Sequence, residues 1–200
     1  MTSGGSGRLD DLVRSLDAGT ARALPPIERW NPPDCGDIDI RIDREGVWFH
    51  EGTPIRRPAL VRLFASVLRA EGERYVLVTP VEKLGITVED APLLAVEMAV
   101  EPSTKGEQLV FRTNLDDLVT CDEDHRLRFD DQPGGAGPRP YLYVRRGLWA
   151  RLTRPVYLEL AERVETRDVG GCAMIGVASG SAFFAMMPAA AMEDMSEGTR

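Results

Sequence analysis

The segment RPALVRLFASVLRA, residues 57–70, is the stretch from which the fold is inferred. Its apolar residues recur with the 3.6-residue period of an amphipathic helix, at Leu60, Val61, Phe64, Val67 and Leu68. Proline suits the first turn of a helix because its missing N–H needs no partner there. The segment therefore predicts a helix from Pro58 to Ala70 that ends at Gly72.

A second Arg-Pro pair, Arg154-Pro155, predicts a helix in the second half of the chain. Counted from each proline, positions +1, +2, +3, +5 and +9 are apolar or tyrosine in both segments. In the same register, Tyr75–Val78 falls on Cys172–Ile175, and the turn at 81–83 falls on 178–180. The shared spacing indicates an internal duplication. Coincidence is the alternative, since any two amphipathic helices share a period.

Period-two alternation predicts strands around these helices. Ile38, Ile40 and Ile42 alternate with polar residues, which is typical of a strand with one buried face. Further strands are expected at 47–49, Tyr75–Val78, Leu84–Val88, Leu93–Val100, Gln108–Thr113, Leu127–Phe129 and Tyr141–Val144. The predicted fold class is α+β, with a duplicated strand-helix-hairpin core in two small domains.

The predicted domain organisation has four parts. Residues 1–33 hold a short amphipathic helix at 9–16 and a Pro-rich linker that packs through Trp30. Residues 34–90 form the first α+β repeat domain, and residues 91–190 form a second, larger and β-rich α+β domain. Residues 191–200 are a polar tail.

Composition narrows the class of protein. The 200 residues carry a formal net charge of -8, which disfavours nucleic-acid polymers and anionic membranes as partners. The three cysteines are widely spaced without a CxxC pair, so neither a disulfide framework nor a metal site is expected. The Gly/Ser-rich start lacks an apolar secretory segment. A cytoplasmic protein is predicted.

One uncharged run, residues 169–192, is long enough to cross a bilayer as a helix. Four glycines, two serines and Pro188 interrupt it, which favours two short buried strands around a turn at 179–181. Membrane insertion is therefore not expected.

Standard catalytic signatures are missing from the sequence. There is no GxSxG elbow, Walker loop or HExxH, and two histidines are too few for a metal cluster. A Cys35 and His50 dyad can be drawn, although a lone cysteine is more often a packed small residue. No catalytic residue, cofactor or metal is assigned.

Arginines at the helix entries, among them Arg56, Arg57 and Arg154, are the first sign of a binding site. Helix amino termini present unpaired N–H groups and a partial positive charge, which favour an anion. The alternative is that these arginines reach solvent or pair with nearby acids. The predicted ligand-binding residues are Trp48, Arg57, Glu82, Lys83, Arg112, Asn114 and Arg145.

Several fragments, taken in order, resemble the bacterial domain-of-unknown-function family 1285. They are residues 30–37 (WNPPDCGD), 47–49 (VWF), 54–55 (PI), 60–64 (LVRLF), 77–83 (LVTPVEK), 111–114 (FRTN), 139–141 (RPY) and 144–145 (VR). The resemblance runs from about Leu24 to Met187. It implies a duplicated core, a carboxy-terminal domain superficially similar to pleckstrin-homology folds, and a site between the domains for a nucleotide-like ligand in signalling.

Three functions follow as hypotheses. The first is a non-enzymatic module in which Arg57, Lys83, Arg112 and Arg145 contact the phosphate or carboxylate of a small nucleotide-like ligand. In it, Trp48 either packs a base or lines the cleft. The second is a hydrolase of such a ligand, with Glu82 as base and Lys83 as electrostatic stabiliser. The third is a protein-interaction domain with a protein partner.

Overall fold

The computed structural model describes residues 24–132 and 137–191, which divide into two compact units. The first unit runs to Pro92 and includes residues 146–148. The second holds the remaining residues from Leu93 onward. The helix predicted at residues 9–16 and the tail from residue 192 lie outside the described residues.

The described chain is mostly β, with 54% of residues in strands and 14% in helices. The predicted α+β class with a duplicated strand-helix-hairpin core is therefore wrong. Each helix is followed by three consecutive antiparallel strands, but these complete a six-stranded sheet in the first unit and form a separate sheet in the second. The comparison of the two halves of the sequence detected this local similarity but not the different sheets to which the strands belong.

The first unit is a six-stranded sheet in the order β3-β2-β1-β6-β5-β4. Its elements are β1 (Asp34–Ile42), β2 (Trp48–His50), β3 (Thr53–Pro54), helix α1 (Pro58–Ser66), β4 (Leu68–Glu71), β5 (Arg74–Val78) and β6 (Lys83–Val88). A short 3-10 turn at Ile27–Arg29 precedes them, and its Ile27 is fully buried. The linker is thus anchored through Ile27, whereas Trp30 is only half-buried.

Strand β1 shows the alternation of buried and exposed residues that the sequence predicted. Ile38, Ile40 and Ile42 are buried, and the polar residues between them are more exposed. The turn that follows is held by Asp43, whose Oδ1 accepts the backbone N–H groups of Glu45 and Val47. Such local side-chain bonding is the reason aspartate favours turns.

Helix α1 is shorter than predicted because its apolar residues continue into a strand. It ends at Ser66, and Leu68 pairs with Leu77 across the β4–β5 ladder. Val67 and Leu68 are fully buried, as the helical period also requires. Burial alone therefore did not distinguish the last helical turn from the start of β4.

The second unit contains a six-stranded sheet in the order β10-β11-β12-β7-β8-β9 and a three-stranded sheet in the order β13-β14-β15. The elements are β7 (Leu93–Ser103), β8 (Gly106–Thr113), β9 (Leu118–Thr120), β10 (Leu127–Asp130), β11 (Arg139–Arg145), β12 (Leu148–Leu152), α2 (Arg154–Ala161), β13 (Val164–Val169), β14 (Cys172–Ser179) and β15 (Ala182–Pro188). Helix α2 packs on β7, β14 on β8, and β15 on β10.

The uncharged run near the carboxyl end forms two strands, β14 and β15, joined by a turn at Gly180. This confirms the strand prediction for that segment. No helix within 24–132 or 137–191 is long and apolar enough to cross a membrane.

Candidate functional site

Trp48 and Arg57, both predicted to bind ligand, have different surroundings in the first unit. Trp48 is 1% exposed and its ring stacks on Phe64, with 6.1 Å between ring centroids. A base therefore reaches the Trp48 ring only if the core opens. Arg57 is the exposed residue that precedes α1, and α1 has no acidic residue in its first turn.

Lys83 lies at the start of β6 and belongs to a half-buried network of charged side chains. Its Nζ donates to Glu71 Oε2 at 2.8 Å, and Arg69 binds the other carboxylate oxygen of Glu71. Arg69 also donates to the carbonyl of Ile27 at 3.0 Å. The hydrogen bond from Lys83 holds the pKa of Glu71 below its usual range, with a second contribution from Arg69. Lys83 is thus already paired with a carboxylate.

Glu82 contributes its backbone to the turn before β6. Its carbonyl accepts the N–H of Thr79 at 2.9 Å and the Thr79 hydroxyl at 3.2 Å. The buried Thr79 closes this turn from the other side by accepting the N–H of Glu82. These contacts explain the Thr-Pro-Val-Glu motif as turn chemistry.

The Cys35 and His50 dyad is not brought together by any contact between described residues. Cys35 is exposed, and its thiol donates to the Pro33 carbonyl at 3.7 Å. His50 lies on β2, opposite Ile40 of β1. The buried Nε2 of His50 has no hydrogen-bond partner among the described residues.

Three predicted residues of the second unit converge on the β8–β9 turn, residues 114–117. Arg112 donates to both carboxylate oxygens of Glu97, at 2.8 Å and 2.5 Å, and to Asp116 at 3.0 Å. Arg145 donates to Asp117 at 2.6 Å. The hydrogen bonds of Arg112 lower the pKa of Glu97 below its usual range. Both guanidinium groups are therefore bound by carboxylates of the protein itself.

Asn114 connects this turn to the start of β7. Its backbone N–H donates to the Leu94 carbonyl at 2.8 Å, and its side-chain oxygen accepts the Leu94 N–H at 3.0 Å. Asn114 thus makes, with its backbone and side chain, the two hydrogen bonds to Leu94 that a paired strand residue would make. The left-handed conformation in the turn belongs to Asp116, with φ of 68°.

A different group of side chains gathers on the β10–β11–β12 face of the same unit. This arginine–aromatic cluster consists of Arg126, Arg128, Tyr141, Tyr143 and Trp149. The Arg128 guanidinium lies 4.4 Å from the Trp149 ring centroid and 5.0 Å from that of Tyr141. Tyr143 meets Trp149 edge to face, with centroids 5.2 Å apart. Alternation along β11 places Tyr141, Tyr143 and Arg145 on one face.

Arg126 is the unneutralised cation of the cluster. Its guanidinium lies 5.9 Å from the Trp149 centroid, and it makes no ion pair with any described residue. Arg128 is ion-paired with Asp130 at 2.8 Å. His125, which packs near Tyr143, is bound to Asp122 at 3.2 Å. An exposed cation next to half-buried aromatic rings is thus available on this face.

A polar cleft of about 240 Å³ lies elsewhere in the second unit. It is lined by Lys105, Gln108, Asp122, Glu123, Asp124 and residues 179–182. Three carboxylates against one lysine disfavour an anion there. Within the described ranges, no group of three His, Cys, Asp or Glu residues is placed to hold a metal ion.

Two family models together match almost the whole described chain. The family model described as "Domain of unknown function (DUF1285), N-terminal domain" matches residues 25–91, and that described as "Protein of unknown function (DUF1285), C-terminal domain" matches residues 92–186. The chain belongs to the DUF1285 family. The resemblance predicted from the sequence is thereby confirmed.

Two solved structures of the family are similar to this chain. The DUF1285 protein from Silicibacter pomeroyi DSS-3 is 41% identical, with a TM-score of 0.81, over 91% of this chain and 97% of its own. The DUF1285 protein from Shewanella baltica OS155 is 30% identical, with a TM-score of 0.49, over 62% of this chain and 90% of its own. No curated protein matches the chain.

Sequence reasoning predicted Arg145, which lies on this face, but missed all five residues of the arginine–aromatic cluster. The available signal was the alternation of Tyr141, Tyr143 and Arg145 on β11, together with Arg128 on β10 and Arg126 directly before it. Their proximity to Trp149 depends on the β10-β11-β12 order, which a single sequence does not reveal.

Proposed function

We propose that this DUF1285 protein is a non-enzymatic module that binds a small aromatic anion of the nucleotide type on the arginine–aromatic cluster. The observation that carries the proposal is Arg126, an exposed guanidinium next to the Trp149 ring and without a carboxylate partner among the described residues.

The aromatic residues supply the surface for a planar ring. Trp149 and Tyr143 are half-buried, so part of each side chain is accessible while its position is fixed by packing. Stacking of a base on an aromatic side chain is worth about 1–3 kcal/mol and tolerates different bases. The cluster therefore favours a ligand with a π face over a simple inorganic ion.

The arginines supply recognition of the anionic group. Guanidinium groups donate in a planar fork that matches phosphate and carboxylate oxygens. Arg126 offers its donors directly, whereas Arg128 and Arg145 are held by Asp130 and Asp117. We therefore assign the anionic contact to Arg126, with Arg128 packed against the aromatic rings.

Thermal stability against a ligand panel tests this proposal. The panel contains AMP, GMP and cyclic AMP, with adenosine and inorganic phosphate as half-ligands. A nucleotide at about one hundred times its Kd adds about 2.7 kcal/mol, which raises Tm by about 5–10 °C. Adenosine and phosphate should give much smaller shifts because each lacks one recognition element.

Matched arginine variants locate the site. Arg126→Gln should abolish the nucleotide shift, and Trp149→Phe should reduce it. Arg154→Gln is the control, since Arg154 is an exposed arginine of the same unit without an ion pair to a described residue. Arg57→Gln separately tests the site predicted at the start of α1. Equal nucleotide-induced Tm shifts in wild type and Arg126→Gln would refute the assignment of the site to Arg126. Turnover of the bound nucleotide would refute the non-enzymatic role.

A further inference from the structure

Strand β13 is an edge strand, and one side of its backbone has no partner strand among the residues that the structure describes. Within those residues it pairs only with β14, in the three-stranded sheet β13-β14-β15. Residues 165–169 are exposed and Val164 is half-buried. The strand has six residues and contains no proline, so every residue in it has a backbone N–H that can pair. It is thus open to a further strand.

The β13–β14 hairpin determines which residues point their backbone groups outward. Val169 pairs with Cys172 across a two-residue turn of Gly170 and Gly171, both with positive φ. In such a hairpin the residues that flank the turn form a hydrogen-bonded pair. Hydrogen-bonded pairs then alternate, so Val169, Arg167 and Glu165 bond inward. The N–H and C=O groups of Val164, Thr166 and Asp168 point outward.

The alternation of inward- and outward-pointing residues limits how the β13 strands of two copies can pair. In an antiparallel pair of identical strands, outward-pointing residues must meet outward-pointing residues. Centring the pair on Glu165 places two glutamates opposite each other, and centring it on Arg167 places two arginines opposite each other. Like charges directly across a strand pair are destabilising. Both registers are therefore disfavoured.

The register centred on Thr166 is the one in which the charges are complementary. Thr166 meets Thr166 of the second copy, Val164 meets Asp168, and Glu165 meets Arg167 twice. Glu165 and Arg167 already lie on one face, with Arg167 Nε 2.6 Å from Glu165 Oε1. Across the twofold axis they become non-hydrogen-bonded pairs, in which side chains approach most closely. Four alternating charges then lie side by side.

We infer that β13 is a self-association surface, on which β13 of a second copy of this chain adds antiparallel about a twofold axis at Thr166. The twofold pairing joins two three-stranded sheets into one six-stranded sheet. It satisfies the outward backbone groups of Val164, Thr166 and Asp168 in each copy. A twofold contact of this kind closes at the dimer because it uses the β13 edge of both copies.

A charge-swap series tests the register by sedimentation velocity. Arg167→Glu places glutamates opposite glutamates and should weaken dimerisation at least about tenfold. The double variant Glu165→Arg with Arg167→Glu restores opposite charges across the axis and should restore the wild-type dissociation constant. The double variant does not restore the contact of Arg167 with the Phe183 ring, which lies 5.0 Å away. Recovery therefore separates pairing between copies from packing within one copy.

Cysteine cross-linking tests the axis directly. Cys35 and Cys172 are exposed, so both are first replaced by serine. Thr166→Cys should then form a disulfide-linked dimer, since the two Cα atoms are expected about 5.5 Å apart. Asp168→Cys is the matched control on the same strand and face. Its two copies lie about 13 Å apart along the strands in this register, beyond disulfide reach.

The expected result is a wild-type dimer, efficient cross-linking at position 166 and little at position 168. A wild-type chain that stays monomeric up to about 1 mM and gives no more cross-linking at 166 than at 168 would overturn the inference. A dimer that forms equally well with Arg167→Glu would also overturn it.

Discussion

Ser179 is the buried polar side chain that holds two parts of the second unit together. Its hydroxyl donates to the Cys121 carbonyl at 2.6 Å and accepts the Leu109 N–H at 2.9 Å. It lies at the end of β14, whereas both backbone partners lie on or near β8 and β9. Burial raises the pKa of the neighbouring Cys121 thiol to about 12, so that cysteine is expected to be unreactive.

Ser179→Ala should therefore lower the stability of the protein. The change leaves a buried N–H and a buried carbonyl without this partner, which costs about 1–3 kcal/mol. The expected fall in Tm is about 2–12 °C. Ser181→Ala is the control from the same hairpin, because Ser181 is exposed. Equal Tm values for the two variants would contradict the role given to Ser179.

Lys83→Met tests the charge network of the first unit through its pH dependence. The pKa of Glu71 is lowered below 4.5, first by its hydrogen bond from Lys83. A lowered folded-state pKa contributes stability above the unfolded-state value, and that contribution is lost as pH falls through the folded-state pKa. Because Glu71 is partly exposed, we expect a loss of only about 1 kcal/mol at about pH 7.

Urea denaturation at several pH values measures this effect. The difference between wild type and Lys83→Met should shrink as pH falls through the lowered pKa of Glu71, because the protonated carboxyl no longer attracts Lys83. Glu71→Gln should show the same loss at neutral pH. A difference that stays constant as pH falls would show that Lys83 acts through packing alone.

At the scale of elements, the β8–β9 turn depends on one side chain that completes a neighbouring strand. Asn114→Ala removes the acceptor of the Leu94 N–H and should cost about 1–2 kcal/mol. Asn114→Asp keeps an acceptor oxygen at that position and should retain more of the stability. Urea denaturation of the two variants measures the difference. An alanine variant as stable as wild type would contradict this role.

The elements that sequence analysis predicted are those whose burial alternates clearly. The isoleucines of β1 and the Arg-Pro entries of α1 and α2 carry strong periodic signals. Strand β13 was missed because Glu165, Arg167 and Asp168 make it exposed on both faces. Strand β4 was assigned to the preceding helix because Val67 and Leu68 fit the helical period as well as the strand.

For the whole molecule, strand pairing decides what a single sequence does not show. The β1–β6 and β7–β12 pairs are parallel and join distant segments, so the six-stranded sheets follow from tertiary contacts rather than local pattern. The same holds for the site. Single residues such as Arg145 were predicted, but their carboxylate partners and the approach of Arg128 to Trp149 depend on strand order.

Fluorescence quenching of Trp149 measures whether a nucleotide stacks on the arginine–aromatic cluster. AMP is titrated into wild type, into Trp149→Phe and into the control Trp30→Phe, with inorganic phosphate as the non-aromatic ligand. Stacking on Trp149 predicts saturable quenching in wild type and Trp30→Phe that phosphate does not reproduce and that Trp149→Phe loses. Quenching of equal size in Trp149→Phe, or none in wild type up to about 1 mM AMP, would contradict a nucleotide site on the arginine–aromatic cluster.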